Sequence, residues 1–180
     1  DDLEAGFNAS VELGTYFQEQ VDQRRSTMTD DVIGDLVAAE IDGEKLTDEA
    51  IISFLRLLLP AGLETTYRSS GNLLYLLLTH PEPLEAVQRD RDLIPAAIEE
   101  GSRYETPLVL VARNTTRDVE MHGLTIPEGA AITLCMGSAN RDEKRWADPD
   151  TFDIHRPRRA HISFAGGIHS CLGMHLARVE

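Results

Sequence analysis

The chain has 180 residues, 42% of them hydrophobic, with 31 acidic side chains against 17 basic ones and a net charge of −14. That is enough apolar chain for one core, and so acidic a balance argues against nucleic-acid binding, which needs clustered Lys and Arg against phosphate. Cys135 and Cys171 lie far apart in unlike contexts, with no disulfide framework. The longest apolar run, residues 51–63, contains Arg56 and Pro60 and is too short to span a bilayer.

The first half reads as helices. Val11, Leu13, Phe17 and Val21 form an apolar stripe over residues 10–25, and Val32, Ile33, Leu36 and Val37 repeat at helical spacing over residues 31–41. Asp42-Gly43 turns the chain. Thr47 is a suitable N-cap, with Asp48 and Glu49 in the first turn, for a long helix over residues 48–78 that His80-Pro81 ends. Shorter helices are expected over residues 83–89 and 93–104, with Pro95 in the first turn of the second. After Pro107 the texture changes to short strands over residues 109–116, 119–122 and 124–126, parted by turn signals at His122-Gly123 and Pro127-Glu128-Gly129. A helical turn near residues 136–140 precedes a Pro-, Asp- and Arg-rich meander over residues 146–161. Helices first and a small sheet later make a mainly α, α+β chain.

Three constellations carry chemistry. The segment from Phe164 to Arg178 sets Cys171 in a glycine-rich loop before an expected helix, whose N-terminus would favour a thiolate. Gly166, Gly167 and Gly173 lack a Cβ and let a large flat ligand approach the backbone. His169 stands two residues before the cysteine, and Phe164 is placed to pack across the loop. In the long helix, Pro60 weakens the hydrogen-bond ladder one turn upstream, and Gly62 leaves bare backbone against which a ligand can lie. Glu64 and Thr65 then set an acid beside an alcohol, as a proton relay requires, although Glu64 also stands at i,i+4 spacing from Arg68 for a simple helix pair. Glu100 and Arg103 share a helix face, where a solvated pair is the default.

These residues resemble the cytochrome P-450 superfamily, bacterial soluble type. Phe164, Gly167, His169, Cys171, Gly173 and Leu176-Ala177-Arg178 are similar to its haem-ligand signature, departing at Ala165, where the family usually has glycine. The run from Ala61 to Thr66 resembles its oxygen-activation segment. Glu100 and Arg103 look like its Glu-x-x-Arg pair, closed by Arg156 from the meander. The smaller Gly101-Ser102 between them is expected to loosen the helix locally.

The resemblance implies a cytochrome P-450 fold fragment: a long central helix, a small β-sheet, a meander and a cysteine-ligand loop, forming one partial domain over residues 1–180 with the N-terminal half and extreme C-terminus absent. It implies haem b (iron protoporphyrin IX) with Cys171 as the axial iron ligand, and Arg113 and His169 at the propionates. Phe164, Gly167, Gly173, Ala61 and Gly62 complete the cofactor site. Thr65 and Glu64 take the catalytic roles, and Glu100, Arg103 and Arg156 the structural ones. The activity implied is a cytoplasmic monooxygenase that inserts one oxygen atom of O2 into a C–H bond of a lipophilic small molecule. Electrons would come from a ferredoxin or flavodoxin-like donor docking near Arg158, Arg159 and Arg178; the isolated fragment is expected to be inactive. The apolar run Pro107-Leu-Val-Leu-Val-Ala112 suits a greasy pocket.

Two other readings stand beside this one. A peroxide-using member of the same fold would need no reductase, and the intact Glu64-Thr65 pair argues against it. In a non-enzymatic helical module, His169, Cys171 and His175, which follows Cys171 by four residues, would bind zinc or merely pack. Zinc wants a fourth ligand and usually brings paired cysteines.

Overall fold

A computed structural model describes residues 2–180, which divide into two compact units, one ending at Leu63 and the other running over residues 64–180. In the first unit, helix α1 (Asp2–Ser26) and helix α2 (Val32–Ala38) are followed by a hairpin of β1 (Glu40–Ile41) and β2 (Glu44–Lys45), then by the start of helix α3 (Asp48–Thr79). Phe17, Val21, Val37, Ile51 and Leu55 make its buried core. The Arg56 guanidinium of α3 lies over the backbone of Gly14, where a Cβ would stand 1.8 Å from Nη2 and displace it. Asp31 caps α2 by accepting from the Gly34 amide at 2.9 Å, and Arg24 holds its carboxyl well below the usual range. Thr47 caps α3 through the Ala50 amide at 3.2 Å.

Two helix boundaries in the first unit differ from the sequence reading. Helix α1 begins at Asp2 rather than residue 10, because its first turns bury nothing and so carry no apolar stripe, while Asp2 and Glu4 suit a helix N-terminus. Helix α2 stops at Ala38, and residues 40–45 pair as a hairpin around Asp42 and Gly43, both at positive φ. Helix α3 runs unbroken through Pro60.

In the second unit the rest of α3 is followed by α4 (Pro81–Arg89), a 3₁₀ turn and α5 (Ile94–Tyr104). Pro81 opens α4 at a position where the missing N–H costs nothing, two residues before the expected start. The core here is Leu76, Val87, Ala97, Phe152 and Ile154. Gly101 does not loosen α5. It lets the helix approach α3 so closely that a Cβ would stand 2.8 Å from Leu73 Cδ1, and it is buried there.

Strand β3 (Leu110–Asn114) pairs antiparallel with β6 (Ala131–Cys135), in register Leu110 to Cys135, and β4 (Val119–Met121) forms a hairpin with β5 (Leu124–Ile126). Strand β6 was not among the expected elements. Its partner lies across the whole intervening hairpin, so no local turn signal announces the pairing. A single turn, α6 (Met136–Ala139), leads into the meander. Among the described residues no helix is long and apolar enough to cross a membrane.

Candidate haem-thiolate site

Glu100 and Arg103, one turn apart on α5, are 6% and 1% exposed. Burying two charges is tolerable only when every polar atom finds a partner, and here they do. Arg103 donates from Nε to Glu100 Oε2 at 2.8 Å and from Nη2 to Oε1 at 2.8 Å. Its other three N–H groups meet the carbonyls of Asn140, Pro149 and Thr151 at 2.9, 2.9 and 3.2 Å. Oε1 of Glu100 also accepts from Arg156 Nε and from the Asp153 amide, both at 3.1 Å. The three residues therefore come together as expected, with one difference. Only Arg103 grips the carboxylate with two nitrogens; the terminal nitrogens of Arg156 go to the carbonyls of Ala147, Asp148 and Thr151. This knot ties α5 to the meander.

From it the cysteine loop departs. Asn140, 1% exposed, takes the Ile162 amide on Oδ1 and donates Nδ2 to Ser163 Oγ, each at 2.8 Å, and Ser163 donates in turn to the Ser102 carbonyl at 2.6 Å. The chain then turns through Ala165 and Gly167, at φ +56° and +64°, and closes when the Cys171 amide donates to the Phe164 carbonyl at 2.9 Å. Cys171, Gly167, His169 and Gly173 are exposed, and Phe164 is half-buried.

The expected helix after the cysteine is instead a string of turns. Met174 bonds back to Cys171 at 3.4 Å, Ala177 to Gly173 at 2.9 Å and Val179 to Leu176 at 2.8 Å, mixing three- and four-residue closures. Leu172, Leu176 and Val179 are exposed, and so short a helix needs packing to hold its ladder. Arg178 donates to Glu99 through Nε and, at 3.1 Å, through Nη2. Glu99, and more weakly the charge of Cys171, raise the pKa of Arg178. Arg178, named from sequence with Arg158 and Arg159 as local positive charge near the cysteine, is paired with Glu99.

Glu99 and His161 were not singled out from sequence. Glu99 is held down at about 2 by the hydrogen bond from His161 and then by Arg178, against the opposing effect of its own burial. Their separations in sequence from Glu99, 62 and 79 residues, explain why no local spacing announces them. Glu99, Arg103, Trp146, Ile154, His161 and Arg178 help line a cavity of about 450 Å³; neither Cys171 nor Thr65 lines it.

On α3, Glu64 pairs with Arg68 at 2.6 Å with both side chains mostly exposed, and Thr65 is half-buried. Arg113 on β3 is exposed, with one nitrogen on the Ala112 carbonyl at 2.7 Å. Ala61 and Gly62 are exposed on α3. Among the described residues no three His, Cys, Asp or Glu side chains gather as a metal site, so His169, Cys171 and His175 do not form the cluster that zinc would need.

A haem suits what is present. One thiol stands exposed between the exposed apolar side chains of Ile168 and Leu172, a donor set for a single axial ligand on an apolar macrocycle. No described atom lies within 4 Å of a Cβ built at Gly173, so the space over its backbone is open.

Comparison with known proteins agrees. The family model for Cytochrome P450 matches residues 4–180. The chain is 41% identical over 178 residues to Cytochrome P450 107B1 of Saccharopolyspora erythraea, covering 98% of this chain and 44% of that protein. It is 43% identical over 169 residues to the cyclomarin C epoxidase CymV of Salinispora arenicola, covering 94% and 43%. The crystal structure of CYP109E1 from Bacillus megaterium in complex with testosterone superposes with a TM-score of 0.92 at 38% identity, over 98% of this chain and 49% of that one. The chain thus spans less than half the length of the curated relatives it matches. From Glu4 of the first helix to the last turn after Cys171, this chain belongs to the cytochrome P450 family.

Proposed function

We propose that the protein carrying this chain is a haem-thiolate monooxygenase that inserts one oxygen atom of O2 into a C–H bond of a lipophilic small molecule. The observation that carries this reading is the exposed thiol of Cys171, in a loop closed by its own amide on Phe164, within a chain that matches the cytochrome P450 family model. Haem b, when bound, supplies the iron at which dioxygen is activated. Cys171 holds that iron as thiolate, Arg113 and His169 neutralise the propionates, and Phe164, Gly167, Gly173, Ala61 and Gly62 border the macrocycle. Thr65 passes a proton and Glu64 resupplies it, with Arg68 orienting the Glu64 carboxylate between transfers.

A lipophilic substrate is supported by exposed apolar side chains at Leu108, Val109 and Leu110, and by similarity to an epoxidase of cyclomarin C and to a testosterone complex. Electrons come from a ferredoxin or flavodoxin-like donor that docks on Arg158 and Arg159 in the cytoplasm. Residues 1–180 form part of one haem domain and are inactive alone.

The test is the absorption spectrum of the reduced, carbon monoxide-bound full-length protein beside its Cys171→Ala variant. A strongly red-shifted Soret band in the wild type, absent from the variant, is expected. A wild type without that band, or a variant that keeps it, overturns the assignment.

A further inference from the structure

Both arms of the cysteine loop converge on one carboxylate that belongs to neither the loop nor the Glu100 knot. Glu99 Oε2 accepts from His161 Nε2 at 3.2 Å and from Arg178 Nη2 at 3.1 Å, while Oε1 accepts from Arg178 Nε. His161 precedes the loop and its side chain is 4% exposed; Arg178 closes the loop. The proton positions follow from the bonds: His161 Nδ1 accepts from the Ser163 amide at 3.3 Å, so the proton sits on Nε2 and points at Glu99. The arms also meet through Phe164. Its ring lies 5.7 Å from that of His161 and 4.4 Å beneath the Arg178 guanidinium, and its carbonyl receives the Cys171 amide at 2.9 Å. A chain of contacts therefore runs from the Glu99 carboxylate to the backbone of Cys171.

The loop has little else of that kind. Ile168, Leu172 and Leu176 are exposed, while Phe164, Met174 and Ala177 are half-buried. Asn140 and Ser163 hold the arm before it, and Arg178 to Glu99 is the hydrogen-bonded tie between the arm after it and α5.

We propose that Glu99 is a positioning residue for the thiolate: by clamping His161 and Arg178 together it sets where the loop presents the Cys171 sulfur to the haem iron. This inference rests on the haem-thiolate reading above. Groups outside the ligands themselves orient them, and removing the immediate partners of a ligand commonly weakens metal retention by about 10–100-fold, an upper range for Glu99, which acts through His161, Arg178 and Phe164. A glutamine at position 99 keeps the volume and one acceptor but loses the charge that holds both donors.

The experiment uses the full-length holoprotein, with Glu99→Gln compared against Glu105→Gln. Glu105 likewise holds an arginine, Arg141, at 3.1 Å from the end of α5, and does not touch the loop. In Glu99→Gln, part of the reduced carbon monoxide-bound Soret band should move to the shorter-wavelength position of haem without thiolate. Haem should pass to excess apomyoglobin up to about 10–100-fold faster. Glu105→Gln, at a similar melting temperature, should keep the wild-type band and rate. Arg178→Lys, which keeps the charge and loses the two-nitrogen grip, should behave as Glu99→Gln does and serves if that variant does not fold. A wild-type band and haem-loss rate in whichever of the two variants folds would overturn the role of Glu99 alone. A wild type with no red-shifted band would remove the haem-thiolate reading and this inference together.

Discussion

Two neighbouring parts of the second unit are built on opposite plans. The knot of Glu100, Arg103 and Arg156 is sealed: the Arg103 side chain is 1% exposed, all five of its N–H groups are used, and the Glu100 carboxylate accepts four hydrogen bonds. The cysteine loop is open, held at its ends by Asn140, Ser163 and Glu99 and bare in the middle, where Ile168 is 97% exposed. A fully partnered buried charge cluster has no capacity left for a ligand and can only be architecture. An exposed thiol beside the exposed apolar side chains of Ile168 and Leu172 is a different kind of surface, open to a ligand. The difference separates frame from site without reference to any relative.

Breaking the frame should do the most damage. Arg103→Ala would strand the Glu100 carboxylate in a buried position, a change that typically costs about 3–5 kcal/mol. Urea unfolding of the full-length protein should show a loss of that order, and a loss below about 1 kcal/mol would mean that the knot is replaceable by water.

Acid should separate the two parts. Glu99 has its pKa depressed from 4.5 to about 2, so it contributes stability that is fully present above pH 4.5 and is lost as pH falls toward 2. Across that window the loop arms should detach from α5, read as rising hydrogen exchange at residues 161–178. Glu99→Gln should flatten this response; exchange there that ignores pH would show that the carboxylate is not what holds the arms.

The smallest effect belongs to the loop's own backbone. Ala165 sits at φ +56°, a left-handed conformation that costs an L-residue roughly 1–2 kcal/mol. Ala165→Gly removes that strain but gives the unfolded chain more freedom. A net gain of about 0.5–1 kcal/mol in urea unfolding is expected. A loss instead would mean that the methyl group makes a favourable contact outweighing the strain.

Much of this was legible in the sequence because its causes are local. The long helix of residues 48–79 showed in its apolar texture and its Thr47 cap, and α5 in Pro95 and the i,i+3 spacing of Glu100 and Arg103. The β4–β5 hairpin was marked by His122-Gly123. Where the cause was not local, the reading failed. Strand β6 needs a partner across a hairpin, and the helix expected after Cys171 needs an apolar neighbour that Leu172 and Leu176 lack. Gly101 read as a weakness in isolation and is a close contact in context, because only the approach of Leu73 explains it.

The sequence by itself determined the chemistry: one cysteine in a glycine-rich loop, an acid beside an alcohol in a long helix, and charged residues at motif spacing. Residue type and short-range order decide what a side chain can ligate or protonate. Only the tertiary structure decided how those groups are held. It paired Arg178 with Glu99, gave Arg156 one bond to Glu100 where Arg103 makes two, and brought His161 and Arg178 from 62 and 79 residues away onto one carboxylate. Hydrogen bonds and burial act over a few ångströms in space whatever the distance along the chain, and sequence spacing carries no record of them beyond a helical turn or a hairpin.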